Sequence, residues 1–217
     1  SPLVAKALND KDDMTLLQLL KKSANNLMLV SGLLFLLINL NLNDFYAWTN
    51  LGDYNVALEV VLIVSVGKLF TMSMGCLNNI ITNSKYYAYV FWFSISSAIL
   101  AVVLNLYLLP LYGIIGAAYA TLIVIVIINI LKILLVQFRF KINPYGWESL
   151  LTLGIIILLY LIISKISFEF DPFVSLVLRS MLVTFAFGCL TYSLKLTIDV
   201  QQFIGKFLPF IRKSLRL

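Results

Sequence analysis

The stretch PLYGIIGAAYATLI, residues 110–123, stands between two long apolar runs, and its reading decides the fold. A helix lying in hydrocarbon has no obvious use for Pro110, Gly113 and Gly116, nor for Ala117, Ala118, Ala120 and Thr121 where Leu would serve. Lipid tails are as apolar as Leu, however, so helices in a bilayer gain little by hiding Leu against Leu and more from close backbone approach. Gly113, Ala117 and Thr121 recur every four residues, with Gly116 and Ala120 beside them, giving two adjacent rows of small residues on one face. That face is expected to pack closely on another helix. Pro110 is read at the start of the helix, where its missing N–H costs little.

Outward from this stretch the same chemistry continues. Of the 217 residues 61% are hydrophobic and 12% charged, against about 45 to 50% and about 25% in soluble domains. The chain is therefore read as membrane spans of about 20 apolar residues and not as a water-driven core. Six runs qualify: 23–42, 54–81, 87–109, 112–136, 147–166 and 173–196. The expected fold class is all-α, a polytopic membrane protein, with a lead-in at 1–22, a six-helix transmembrane region at 23–196 and a basic amphipathic tail at 197–217. Each run can cross about 30 Å of hydrocarbon, and a helix satisfies its own backbone where lipid cannot.

The cations alternate with the spans. Lys6, Lys11, Lys21 and Lys22 precede the first, Lys85 follows the second, Arg139 and Lys141 the fourth, and Lys206, Arg212, Lys213 and Arg216 the sixth. The remaining connections carry almost none: Lys165 alone, set against Glu169 and Asp171. The positive-inside rule then predicts both ends cytoplasmic and three hairpins pointing outward. Tyr46, Trp48, Tyr54, Tyr86, Tyr87, Trp92, Tyr112, Tyr145 and Trp147 cluster near span ends, as interfacial anchors do. The net charge of +6 lies mostly in connections and ends, which fits anionic lipid headgroups better than nucleic acid. Histidine is absent, and Cys76 and Cys189 fall within apolar runs, so neither a metal site, a disulfide nor a cofactor is expected. The opening at Ser1 has no signal-peptide pattern and reads as part of a longer chain.

The segment LYLLPLYGIIGAAYATLI, with Asn105 one turn upstream of Pro110, resembles a signature of bacterial polysaccharide exporters of the MOP superfamily, the Wzx-type flippases of lipid-linked oligosaccharides. The likeness rests on Asn105, Pro110, Gly113, Ile114, Gly116, Ala117, Ala118, Ala120 and Thr121. A weaker resemblance lies at the start, where SPLVAKALNDKDDMTLLQLLKKS is similar to a Pro-containing cytoplasmic connection of that family. The resemblance implies two six-helix lobes around a central cavity, of which this chain would be the C-terminal one. Its implied partners are membrane lipid, the lipid-linked oligosaccharide and the N-terminal lobe.

Polar residues inside the spans then become candidates for the route of the substrate. A charge at mid-membrane costs about 2.5 to 3.5 kcal/mol on insertion scales, so it normally faces a cavity or a partner. Lys68 lies deepest, about fifteen residues into the second span, on a stripe with Ser65, Met72, Gly75 and Asn79. It is expected to line the cavity and meet the phosphate, which is badly solvated in low dielectric without a cation. Glu59, nine residues earlier, falls about half a turn out of phase with Lys68 and is expected to meet water or a cation such as Arg179. Lys132 and Arg179 lie close enough to span ends to snorkel. Asn25, Gly32 and Asn39 repeat every seven residues on the first span, and Ser94, Ala98, Ala101 and Asn105 share a face of the third; these are inter-helix hydrogen-bonding sites or cavity walls.

The function expected is translocation without covalent chemistry. An ion-coupled antiporter of the same superfamily is the alternative, but it needs intramembrane carboxylates, and only Glu59 qualifies. A membrane-embedded glycosyl or phosphoglycosyl transferase needs a base, an acidic metal-binding pair or a nucleophile at one membrane face. The inner connections beyond residue 13 offer only Glu148 and Asp199, and the cluster Asp10, Asp12 and Asp13 reads as a solvated loop, so no enzyme is expected. A purely structural membrane subunit is the remaining option.

Overall fold

The computed structural model describes residues 2–50, 55–166, 168, 170–194 and 196. Of these 86% are helical and none lies in a strand. The chain is an all-α membrane protein: Asp13–Thr49, Val56–Ser73, Ala88–Phe140 and Pro172–Ser193 are each long and apolar enough to cross a bilayer. Along the chain the elements are α1 (Pro2–Asn9), α2 (Asp13–Thr49), α3 (Asn55–Ser73), α4 (Leu77–Thr82), α5 (Ala88–Phe140), α6 (Trp147–Ile163) and α7 (Pro172–Ser193). The 17 residues of α6 reach about 25 Å, at the lower limit of a span. The basic tail expected at 197–217 lies outside the described residues.

The 53 residues of α5 do not form one rod. A straight helix of that length would be about 80 Å long, yet the ring of Tyr86, just before its start, lies 5.7 Å from that of Phe140 at its end. The chain turns back at Gly113, whose φ of 61° and ψ of −140° interrupt the helix. A β-carbon disfavours that conformation strongly, which is why glycine stands there. Pro110 lies in the last turn before the reversal, and without an N–H it removes a rung where the helix is about to stop. The limbs, 88–112 and 114–140, correspond to the third and fourth apolar runs, with the break at Gly113 and Pro110 at a helix end instead of a start. Near the tip Gly116 meets the Leu108 carbonyl so closely that a β-carbon would overlap it.

The second run is shorter than its hydropathy suggests. α3 stops at Ser73, Gly75 takes a φ of 61°, and a fresh helix, α4, starts at Leu77. The cause is α2: a β-carbon on Gly75 would overlap the amide nitrogen of Ala24, and Ser23 Oγ accepts the Cys76 N–H at 2.9 Å. The expected stripe is therefore split, because Asn79 belongs to α4 and not to the helix that carries Lys68 and Ser65. Substituting Ser23→Ala removes this bond and should lower stability by about 1 kcal/mol. Thermal unfolding of the purified protein in detergent measures it, and an unchanged midpoint would mean that the cap contributes nothing.

The central element is α2, which packs against α3, α6 and α7. It starts where Asp12 accepts the Thr15 N–H at 3.0 Å and its hydroxyl at 2.6 Å, bonds that hold this carboxyl below the usual range. α2 then runs unbroken to Thr49, well past residue 42 where hydropathy ended the first span. One face carries Leu29, Leu36 and Leu40 into a core with Ile156, Leu159 and Val183. A second core joins Val4 and Ala7 of α1 to Leu16 and Leu20 of α2, Ile80 of α4 and Val136 of α5. The stretches that carry Lys6, Lys11, Lys21, Lys22, Lys85, Arg139 and Lys141 gather around this second core at one end of the bundle. There the Tyr86 ring has the Lys85 ammonium and the Arg139 guanidinium each 5.2 Å from its centroid. At the opposite end Trp48 of α2 stacks on Phe173 of α7, ring centroids 5.4 Å apart.

Candidate functional site

Lys68 stands on α3 five residues before the helix ends at Ser73, which places it nearer the basic end than the middle. Its depth was overestimated because the second run was taken to continue through Ile81. It is exposed, and it lines a groove of 490 Å³ between α2 and α3. The groove walls are apolar, Leu34, Phe35, Ile38 and Val64 among them, and the only other polar members are Ser31 and Ser65. Among the described residues no carboxylate pairs with Lys68. An unpaired ammonium between greasy walls is costly in lipid and useful in a wet cleft.

Beside the groove α2 and α3 are joined by a bond between helices. Asn39 Nδ2 of α2 donates to Ser65 Oγ of α3 at 2.9 Å and to its own helix at Phe35 O at 2.8 Å. The sevenfold stripe on α2 is thus a packing seam. Asn25 Oδ1 accepts the Ser149 hydroxyl of α6 at 2.7 Å, Gly32 admits the Ile156 side chain, and Asn39 joins α3. On the far side of α3, Asn129 of α5 donates to Thr71 Oγ1 at 3.0 Å and is 5% exposed, an inter-helix bond that hydropathy conceals.

Arg179 has a partner the sequence reading missed. Its side chain is buried and pairs with Asp44 at 2.7 Å, while Nη1 donates to Leu40 O at 2.8 Å and Nη2 to Ile166 O at 3.1 Å. Glu59, offered as its carboxylate, is exposed on α3 and does not pair with it; Asp44, assigned to a connection, is the acid within reach because α2 continues for two turns beyond Leu42. The signal was there to use: from Leu42 to Thr49 the chain contains no Gly or Pro to stop the helix.

The other candidates do not converge on Lys68. Asn79 is exposed on α4, and its carbonyl accepts from Asn83 Nδ2 at 2.7 Å. Asn105 donates to Ala101 O at 2.8 Å on the outgoing limb of α5, beside a hollow of 370 Å³ that Pro110 also lines. Lys132 is half-buried on the return limb. Of the two rows of small residues one is packed, with Gly116 buried and Ala120 at 0% exposure. The other is not: Gly113 and Thr121 are exposed and Ala117 is half-buried. The hairpin needs only a narrow seam, and Gly113 answers to backbone conformation, not to packing.

No protein family, no curated protein and no solved structure matches this chain. The chemistry of its own residues carries the functional reading. No group of three or more Cys, Asp or Glu able to hold a metal occurs among the described residues. What the fold offers is an apolar-walled groove with one ammonium, and on the Asn39 side of the Asn39–Ser65 bond a polar hollow that Lys165 and Arg179 help to line.

Proposed function

We propose that this chain is one lobe of a flippase that moves a lipid-linked oligosaccharide across a bacterial cytoplasmic membrane, working against a second lobe of like fold. The single observation that supports it most is Lys68. It is a cation without a described partner on a membrane-length helix, lining an open groove whose walls suit a lipid chain. Such a group matches a ligand with a phosphate between an apolar tail and a polar head, because the ammonium solvates the phosphate where water is scarce.

The gathering of cations at one end supports the orientation: by the positive-inside rule that end is cytoplasmic. The phosphate would then meet Lys68 soon after entering from the inner leaflet, and rocking of the lobe against its partner would expose the head on the other side. No bond is made or broken in this scheme.

Lys68→Ala in the full-length protein, expressed in cells whose surface polymer depends on it, should cut export about ten- to a hundredfold, the worth of a charge-assisted hydrogen bond. Lys68→Arg should keep most of the activity. Unchanged export by Lys68→Ala at normal protein level would remove the assignment.

A further inference from the structure

Beyond the Asn39–Ser65 bond two adjoining hollows, of 360 and 210 Å³, share Asn39, Asn43 and Tyr160 as walls. The first also takes in Asp44, Ser164, Lys165, Phe168 and Arg179; the second takes in Glu59. The larger is within the range of about 300 to 1,000 Å³ that small-ligand sites occupy. We propose that these hollows bind the hydroxyl-rich sugar part of the transported molecule, a deepening that rests on the flippase reading.

Charge decides against a simple ion site. The two cations, Lys165 and Arg179, are balanced by the two carboxylates, Asp44 and Glu59, and Arg179 is already held by Asp44 and two carbonyls. Neither an anion nor a cation finds a surplus of the opposite sign. What remains is donors and acceptors in both senses: a carboxylate at Glu59, an ammonium at Lys165, hydroxyls at Ser164 and Tyr160, and the amide of Asn43. Asn43 is exposed and its side chain makes no hydrogen bond among the described residues. Sugar hydroxyls donate and accept at once, and their C–H faces rest on aromatic rings, which Tyr160 and Phe168 supply. Arg179 sits 5.5 Å from the Phe168 ring centroid and fixes that wall.

Position supports the same ligand. Glu59 and Lys68 are nine residues apart on α3, about 13 Å along the axis. They also lie about half a turn apart around α3, so a molecule touching both must be extended and pass around the helix, with a phosphate at one end and hydroxyls at the other. The Asn39–Ser65 bond joins the two regions, Asn39 lining the hollows and Ser65 the groove.

The test uses the full chain in lipid nanodiscs and two kinds of probe, free sugars (N-acetylglucosamine, galactose and glucuronic acid) and inorganic pyrophosphate, followed by saturation-transfer NMR. At least one sugar should bind saturably, about tenfold more weakly to Asn43→Ala and to Tyr160→Phe, and unchanged to Lys68→Ala. Pyrophosphate should show the reverse pattern. Tyr160→Phe keeps the ring and so guards against a mere folding defect. No saturable sugar signal, or one indifferent to both variants, overturns the sugar site while a Lys68-dependent pyrophosphate signal leaves the flippase reading standing. Sugar binding lost in Asn43→Ala with pyrophosphate indifferent to Lys68 would support the hollow and sink the Lys68 assignment alone.

Discussion

Gly116→Leu will separate the two limbs of α5. The β-carbon it introduces would occupy the place of the Leu108 carbonyl, and a backbone atom of an adjacent helix cannot swing aside as a flexible side chain can. With Ala120 fully buried one turn further on, the whole seam must widen. Overpacking of this kind costs about 1 to 3 kcal/mol and occasionally more. Thr121→Leu is the control, because Thr121 is exposed and a change there should stay within about 0.5 kcal/mol. Spin labels at residues 85 and 139, which flank the same Tyr86 ring, report the separation directly in a protein with Cys76 and Cys189 replaced by Ser. An unaltered label distance in Gly116→Leu would show that the hairpin does not depend on its small-residue seam.

Asp44→Ala will be at least as damaging, for an electrostatic reason. It leaves the Arg179 guanidinium buried without its counter-charge, a loss of about 3 to 5 kcal/mol when one member of a buried pair is removed. Arg179→Ala should cost a similar amount, since it strands Asp44 and withdraws the donors to Leu40 O and Ile166 O that tie the connection between α6 and α7 to α2. The double change Asp44→Leu with Arg179→Met should recover most of the stability, because packed apolar groups can replace a buried ion pair at little cost. Chemical or thermal unfolding of the three variants beside the unsubstituted protein measures each change. A loss under about 1 kcal/mol for Asp44→Ala would show the pair to be solvated and weak.

The apolar helices were legible because hydropathy reports burial in lipid directly, and Pro110 marked the break between the third and fourth runs. Three misreadings share one cause, that hydropathy is blind to backbone. It ran through Gly75, because the residues on both sides are apolar, and so joined Asn79 to the Lys68 stripe and set Lys68 too deep. It ended the first span at Leu42, where polar residues begin, although nothing there stops a helix, and so it hid Asp44 from Arg179. It gave Gly113 a packing role, when the left-handed φ at that residue is what the reversal requires. The polar hollow escaped notice for a different reason. Its walls come from four separate helices, α2, α3, α6 and α7, and from the connection after α6, and no spacing within one helix foretells such a meeting.

The folded-back α5 also bears on how the chain is made. Between Lys85 and Lys132 there is no charged residue at all. With its ends together, the charges that bound this stretch stand at the same end of the hairpin. No ionised group then has to cross the oily interior for both limbs to lie in it.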